Sequence, residues 1–483
     1  MAKLVICLPT YIYLFCYLFL IFTFTSLPAQ TEFLEKACVE TANNSYIQNG
    51  FLGLAVVDTE TSEVVYEYNG NKGLKPASSL KAITTATALS ILGPDFKFET
   101  LLQYEGTITA DSTLEGNIYI KGGGDPTLGY QRWNDVSSSK QVMTMWSEAI
   151  AKAGIKKING CIIADDRIYE SALVPKKWIW EDIGNYYGAG ASALNFHENQ
   201  YFIEFQTGKR EGEQTHIVKL HPKQKGVDFV NEVETGGPDS GDQAFVYAGP
   251  YAKEIFIRGT VPPNEPNFSI KGSIPNPALF TAQSLESFLE KKGISCNQNA
   301  GTMKDVTAPD SSALRQLHQH LSPSLQDIVY HTNRKSVNLY CESMLKMIAY
   351  KKTGFGTTQK GIKQLERYWR SKGVNLHGSF IEDGSGLSPS NAVTPKHMAL
   401  ILSKIEKEPW FEEYKKSLFY RLGQYLSAKS GYINRVRAYA GFVTTDSGKL
   451  LSFSIMVNNY TCSNSAARVK LSAIMEKLRK IEI

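Results

Sequence analysis

The sequence predicts a mixed α/β (α+β) fold in which one domain is interrupted by a large β-rich insertion. Three observations carry the prediction. Helical and strand patterns mix at both ends of the chain. The stretch from about 98 to 275 holds short β-like runs between Gly, Pro and Asp turns. The chain then closes with two strong strands and an amphipathic helix. One domain built from both ends and split by the middle satisfies all three. The 483 residues, 42% of them hydrophobic, suffice for about two to four domains and at least one large core.

Taken in order, the first segment is an export signal. After Lys3 nothing through Ala29 is charged, and Tyr11 to Thr25 is dense in Leu, Phe, Tyr and Ile. A signal peptide cleaved after Ala29 and an uncleaved anchor both fit, because the apolar run nearly spans a bilayer and Leu27 is large for the third position before the cut. Both export the rest of the chain; the anchor would add a peripheral membrane association. Phe51–Val57 and Val64–Tyr66 flank the polar turn Asp58–Ser62 and read as a hairpin. A helix from Ser78 to Leu92 is stopped by Gly93-Pro94. Runs such as Gly116–Ile120 and Phe245–Tyr247 mark the insertion, and from Pro277 through Tyr350 the pattern reads as helical. Strands Ala438–Thr444 and Leu450–Val457 follow, joined at Asp446-Ser447-Gly448, and Ala466 to Lys480 is the last helix. The expected division is 1–29 signal, 30–97 first part of the α/β domain, 98–275 insertion, and 276–483 second part.

Composition excludes several functions. The net charge is +5 with no long Lys/Arg block, so no nucleic-acid stripe is expected. Beyond the export segment the cysteines are Cys38, Cys161, Cys296, Cys341 and Cys462. They are odd in number, widely spaced and without a CxxC, which argues against zinc and dithiol chemistry and leaves one or two disulfides open. His318 and His320 could share a metal on a strand, but Leu317 and Leu321 around them read as helical, so no metal is expected. Gly122-Gly123-Gly124-Asp125 is not followed by Gly-Lys-Ser/Thr and reads as a turn, not a phosphate loop. No cofactor is expected. A Ser-His-Asp hydrolase would need G-x-S-x-G, which is missing. Ala191-Ser192-Ala193-Leu194-Asn195 has Ala where a class A β-lactamase needs its deacylating Glu.

The helix at Pro76-Ala77-Ser78-Ser79-Leu80-Lys81 holds the chemistry. From Pro76 to Pro94 its only charged side chain is Lys81. Such a helix is buried on most sides, and a lysine there is costly unless it is paired or gives up its proton readily. Ser78 precedes Lys81 by one helical turn, shares its face, and sits where free N–H groups favour developing negative charge. That is a nucleophile beside its base. A capping serine and a snorkelling lysine would give the same spacing, and SxxK alone does not decide. Ser336-Val337-Asn338 opens a helix after the polar break Thr332–Lys335, and alone it reads equally as a cap. Lys429-Ser430-Gly431 lies on a strand before the terminal hairpin, where Lys429 and Ser430 could hold a carboxylate and Gly431 admit a substrate backbone. An ordinary edge strand is the alternative there.

The conjunction of SxxK, SxN and K[ST]G, in that order, is the signature set of penicillin-binding proteins and serine β-lactamases. More narrowly, the chain resembles the D-alanyl-D-alanine carboxypeptidase/endopeptidases among the class C, low-molecular-mass penicillin-binding proteins. Gly123–Leu128, Asp383–Ser388 and the long gap between Lys81 and Ser336 share in that resemblance, which covers essentially everything after the export segment. Lys-Ser-Gly replaces the commoner Lys-Thr-Gly, and Val337 stands where the family often has Asp. The resemblance implies a penicillin-binding-protein/β-lactamase-like transpeptidase fold in an exported, periplasmic enzyme. Its substrates would be peptidoglycan peptides, and β-lactam antibiotics would acylate it. Ser78 would attack the carbonyl of the penultimate D-alanine, Lys81 would accept its proton, and Ser336 would relay a proton to the leaving amine. Asn338 would hold the substrate amide, and Lys429, Ser430 and Gly431 would line its carboxylate end. The backbone N–H groups of Ser78 and Tyr432 would form the oxyanion hole. In the aromatic segment Trp178–Tyr187, the matching positions Asp182 and Tyr187 would hold the charged side-chain end of a diaminopimelate-type stem; a structural corner is the alternative. The rival function is a catalytically silent protein of this fold serving as a wall-binding or sensor module. Joint retention of Ser78, Lys81, Ser336, Asn338 and Lys429 weighs against it.

Overall fold

The computed structural model describes residues 31–483, so the export segment expected at 1–29 lies outside the described residues. Among those described, no helix is long and apolar enough to cross a membrane. The two ends of the chain meet in one antiparallel sheet, ordered Tyr420–Leu422, Leu426–Ile433, Val436–Thr444, Leu450–Asn458, Phe51–Asp58, Val64–Tyr68. Period-2 alternation assigns its two faces. Ala438, Ala440 and Phe442 pack into the core with Leu80, Ala82 and Ile83. Tyr439 and Val443 turn the other way, onto the helices Glu32–Ala42 and Asn464–Lys477.

Two helices run through the first of these cores. Lys81–Leu92 is buried at every position from Lys81 to Leu89, and Asn338–Thr353 at every position from Asn338 to Ala349. Burial on all faces is why the first carries one charge. The second buries Glu342 and Lys346 among apolar neighbours.

A second core lies in the middle of the chain, around Trp146, Ile162, Tyr201, Ile257 and Leu285. The strands between Glu99 and Leu321 form two three-stranded sheets, a four-stranded sheet and a five-stranded sheet. The helical reading from Pro277 through Tyr350 is corrected in its middle. Pro277–Lys291 is a helix, but Ser295–Cys296, Gly301–Thr302 and Arg315–Leu321 are strands. Arg315–Leu321 pairs antiparallel with Glu99–Tyr104, placing His318 opposite Leu102 and His320 opposite Thr100. Leu317 and Leu321 are spaced as on a helix, yet a partner strand more than two hundred residues away settled the backbone. Even on a strand the two histidines recruit no third ligand: among the described residues no group of three His, Cys, Asp or Glu is placed to hold a metal ion. The polar stretch Thr332–Lys335 is also not a break but the last turn of the helix Leu325–Lys335. Cys38, Cys161, Cys296, Cys341 and Cys462 are all free thiols.

Candidate active site

Ser78 sits in a tight helical turn, Ala77–Leu80, that feeds into the helix from Lys81. Ala77 before it has φ +44°, a left-handed conformation costly for a residue with a Cβ. The turn is held from two sides by glycines. A Cβ on Gly386 would meet the Ala77 carbonyl oxygen at 1.9 Å. One on Gly431 would lie 2.6 Å from both the Pro76 oxygen and the Ser79 nitrogen, and 2.9 Å from the Ser78 nitrogen. Only glycine lets the strand Leu426–Ile433 press its backbone against the amide of Ser78. Ser79, the neighbouring hydroxyl, is buried and donates to the Pro76 carbonyl at 2.6 Å.

Lys81 is fully buried, and its Nζ donates to Ser78 Oγ at 2.8 Å and to the Ser385 carbonyl at 2.7 Å. Burial lowers its pKa from the ordinary lysine value, while Asp383 and Glu342 oppose that shift. The structure thus brings the SxxK pair into hydrogen-bond contact, with the proton on Lys81 loosely held.

Ser336 lies between two helices in the left-handed region, at φ +58°. Its Oγ accepts from Lys429 Nζ at 3.0 Å, and Lys429 also donates to the Ser430 carbonyl at 2.8 Å. Both partners are uncharged. Burial, then the nearby Lys81, push the Lys429 pKa well below its ordinary value. Asn338 begins the next helix and donates through Nδ2 to the Tyr187 carbonyl at 2.7 Å. Its side-chain oxygen remains available to accept a substrate N–H. Ser430 is half-buried and Tyr432 exposed at the mouth of the same strand.

The Tyr187 backbone therefore lies against Asn338, and the Asp182 carboxylate is bonded to the Tyr187 hydroxyl. Burial, aided by the charge of Glu181, raises the Asp182 pKa to about 6, and the Tyr187 hydroxyl bonded to it works the other way. Trp180 and Tyr186 on the same segment are exposed.

Sequence reasoning gave no role to the supports of this cluster. Asp383 accepts from Gly386 N, Ser388 N, Asn391 Nδ2 and Trp178 Nε1, all at 2.6–2.9 Å. Glu342 accepts from the Ser385 and Gly384 amides at 2.8 and 3.0 Å. Together they hold the loop whose Ser385 carbonyl receives Lys81. Burial and the charge of Asp383 raise the Glu342 pKa. Glu342, one turn after Asn338 in the run Asn338–Ala349 whose only other charge is Lys346, was the available signal.

With this geometry in hand, comparison with known proteins is informative. The D-Ala-D-Ala carboxypeptidase 3 (S13) family matches residues 34–481. A D-alanyl-D-alanine carboxypeptidase of an Actinomadura species is 27% identical over 441 residues, 86% of this chain and 79% of that protein. The crystal structure of penicillin binding protein 4 from Haemophilus influenzae is similar with a TM-score of 0.79 and 23% identity, covering 92% of this chain and 99% of the other. The same protein complexed with a β-lactam gives 0.71 and 22%, over 91% and 98%. These structural likenesses show a shared penicillin-recognition fold. A family match running from the first helix to the last turn, over a chain that juxtaposes its three motifs, leads to one conclusion: the chain belongs to the D-Ala-D-Ala carboxypeptidase 3 (S13) family of serine peptidases.

Proposed function

We propose that Ser78 is the nucleophile of this serine-type D-Ala-D-Ala carboxypeptidase and that Lys81 is its acylation base. The observation that carries the assignment is the 2.8 Å contact between the Nζ of fully buried Lys81 and the Oγ of half-buried Ser78. Neutral Lys81 takes the Ser78 proton as Oγ attacks the carbonyl carbon of the penultimate D-alanine. The negative oxygen that forms faces the backbone N–H groups of Ser78 and Tyr432. The C–N bond then breaks, and the leaving amine takes a proton relayed through Ser336. Water hydrolyses the acyl-enzyme, releasing the peptide carboxylate and restoring Ser78. Lys429 and Ser430 hold the terminal carboxylate of the substrate, an anion that returns to Lys429 the charge its burial disfavours.

In this reading the substrates are peptidoglycan stem peptides, as a carboxypeptidase, and D-alanyl cross-links, as an endopeptidase; a β-lactam ring acylates the same serine. Asp182 and Tyr187 take the cationic side-chain end of a diaminopimelate-type stem. The Asn338–Tyr187 bond supports this by tying that segment to the helix that follows Ser336. Export to the periplasm is part of the proposal, and mass analysis of the mature N-terminus tests it and tells a cleaved signal from an anchor. The pairing of Glu99–Tyr104 with Arg315–Leu321 supports an insertion that returns near Ser322 rather than at 276; a 98–322 fragment expressed alone should then fold, by circular dichroism, where a 98–275 fragment does not.

The decisive experiment adds a stem pentapeptide ending in D-Ala-D-Ala and a fluorescent penicillin to separate samples. D-alanine release together with a penicillin adduct on Ser78 is expected. Neither adduct nor release from the folded protein would favour the silent wall-binding or sensor reading.

A further inference from the structure

The helix Asn338–Thr353 carries a buried lysine that, unlike Lys81 and Lys429, the acyl-transfer chemistry does not use. Lys346 is 0% exposed, and its ammonium donates to the carbonyls of Ala172 at 2.8 Å, Ala191 at 3.0 Å and Leu173 at 3.4 Å. The nearest carboxylate, that of Glu170, is 3.9 Å away. An ammonium withdrawn from water is costly, and this one adds three main-chain oxygens to a single long ion pair with Glu170.

The three carbonyls define one place. Ala172 and Leu173 precede, and Ala191 ends, the segment containing Trp178, Asp182 and Tyr187. The Ala191 amide donates to the Leu173 carbonyl at 2.9 Å, so the segment leaves and returns at a single neck. Gly190 packs into that neck, where a Cβ would stand 2.6 Å from the Leu173 side chain. The far side of the loop is fixed to the same helix, since Asn338 holds the Tyr187 carbonyl. Asn338 and Lys346 are about two helical turns apart, so one rigid element grips the loop at neck and tip.

We propose that Lys346 is a positioning residue whose ammonium clamps the neck of the 173–191 loop and so sets the Asp182–Tyr187 pocket at its distance from the catalytic serine. The proposal rests on the pocket reading given above and deepens it. The clamp needs charge and three donors, and a neutral amine supplies neither. Burial pushes the Lys346 pKa down to about 8, against Glu170, Glu342 and Asp166, which hold it up. Those carboxylates are the charged groups facing it: Glu342 from its own helix, and Asp166 and Glu170 from the segment after the strand Ile162–Asp165. Tyr169, between them, donates its hydroxyl to the Ser343 carbonyl.

The test compares two rates from about pH 6 to about pH 10: kcat/KM for a stem peptide with a free side-chain amino-acid end, and the acylation rate with benzylpenicillin, which has no such end. In the wild type their ratio should fall roughly tenfold as pH rises through about 8, the scale of one lost charge-assisted contact. In Lys346→Arg the ratio should persist further into alkali, because a guanidinium keeps its proton. In Lys346→Met it should be low throughout. The stem's own amine titrates equally in all three, so the difference between wild type and the arginine variant carries the result. Superimposable profiles would overturn the clamp, and the wild-type profile alone would do so if flat. Hydrogen exchange of amides 173–191 in Lys346→Met separates the clamp from the pocket reading. Faster exchange supports the clamp even if Asp182→Asn shows the pocket to be wrong, whereas unchanged exchange removes the clamp itself.

Discussion

Trp178 and Asp383 stand 205 residues apart, and the indole N–H of the first donates to the buried carboxylate of the second at 2.8 Å. Asp383 also receives the amides of Gly386 and Ser388, on the loop whose Ser385 carbonyl accepts from Lys81. The segment holding Trp178 is therefore bonded to the loop that receives Lys81. The proposed substrate contacts and the proposed proton transfer at Ser78 would share one set of buried supports.

The nucleophile assignment predicts that Ser78→Ala abolishes covalent labelling by penicillin while thermal unfolding stays near that of the parent. Ser79→Ala should still label, because its hydroxyl is turned onto the Pro76 carbonyl. An adduct mapped to Ser336 or Ser385 by mass spectrometry would overturn the assignment.

The base assignment predicts a pH dependence. Lys81 accepts a proton only when neutral, so the acylation rate should rise with pH through its lowered pKa. Glu342 raises that pKa, so Glu342→Gln should move the rise to lower pH, with the amide still accepting a backbone N–H. Stopped-flow acylation across the pH range measures both. A flat profile from a folded protein removes Lys81 as the titrating group.

Gly431→Ala tests the oxyanion site without touching a reactive side chain. The new Cβ would press on the turn that carries Ser78 and move strand from nucleophile. Acylation should slow by about a hundredfold, the range for one lost oxyanion donor. An unchanged rate would mean that the turn yields and that this approach does not set the geometry.

Asp182→Asn should lower kcat/KM about ten- to a hundredfold for stems with a free amino-acid end, leaving penicillin acylation nearly unchanged. The pH signature follows from the raised pKa of Asp182. Its carboxylate is charged above about 6 and neutral below. The wild-type preference for such stems should thus weaken as pH falls through about 6, and the Asn variant should show no such step. If both activities fall together, Asp182 supports the fold instead.

Sequence alone determined much of the catalytic end of the molecule. Ser78 and Lys81 are one helical turn apart, so local geometry by itself puts them in contact. The terminal strands were legible because their alternation survives in the sheet, with Ala438, Ala440 and Phe442 on one side and Tyr439 and Val443 on the other. Only tertiary structure decided what depends on distant partners. Arg315–Leu321 is a strand because Glu99–Tyr104 lies beside it, and no local signal names that partner. The roles of Glu342, Asp383 and Lys346 were hidden for a similar reason. A buried charge is tolerable only where other segments bring amides or carbonyls to it, and those came from residues 172–191 and 384–391. Local spacing carried the reactive pair, and the supports that tune it came with the folded chain.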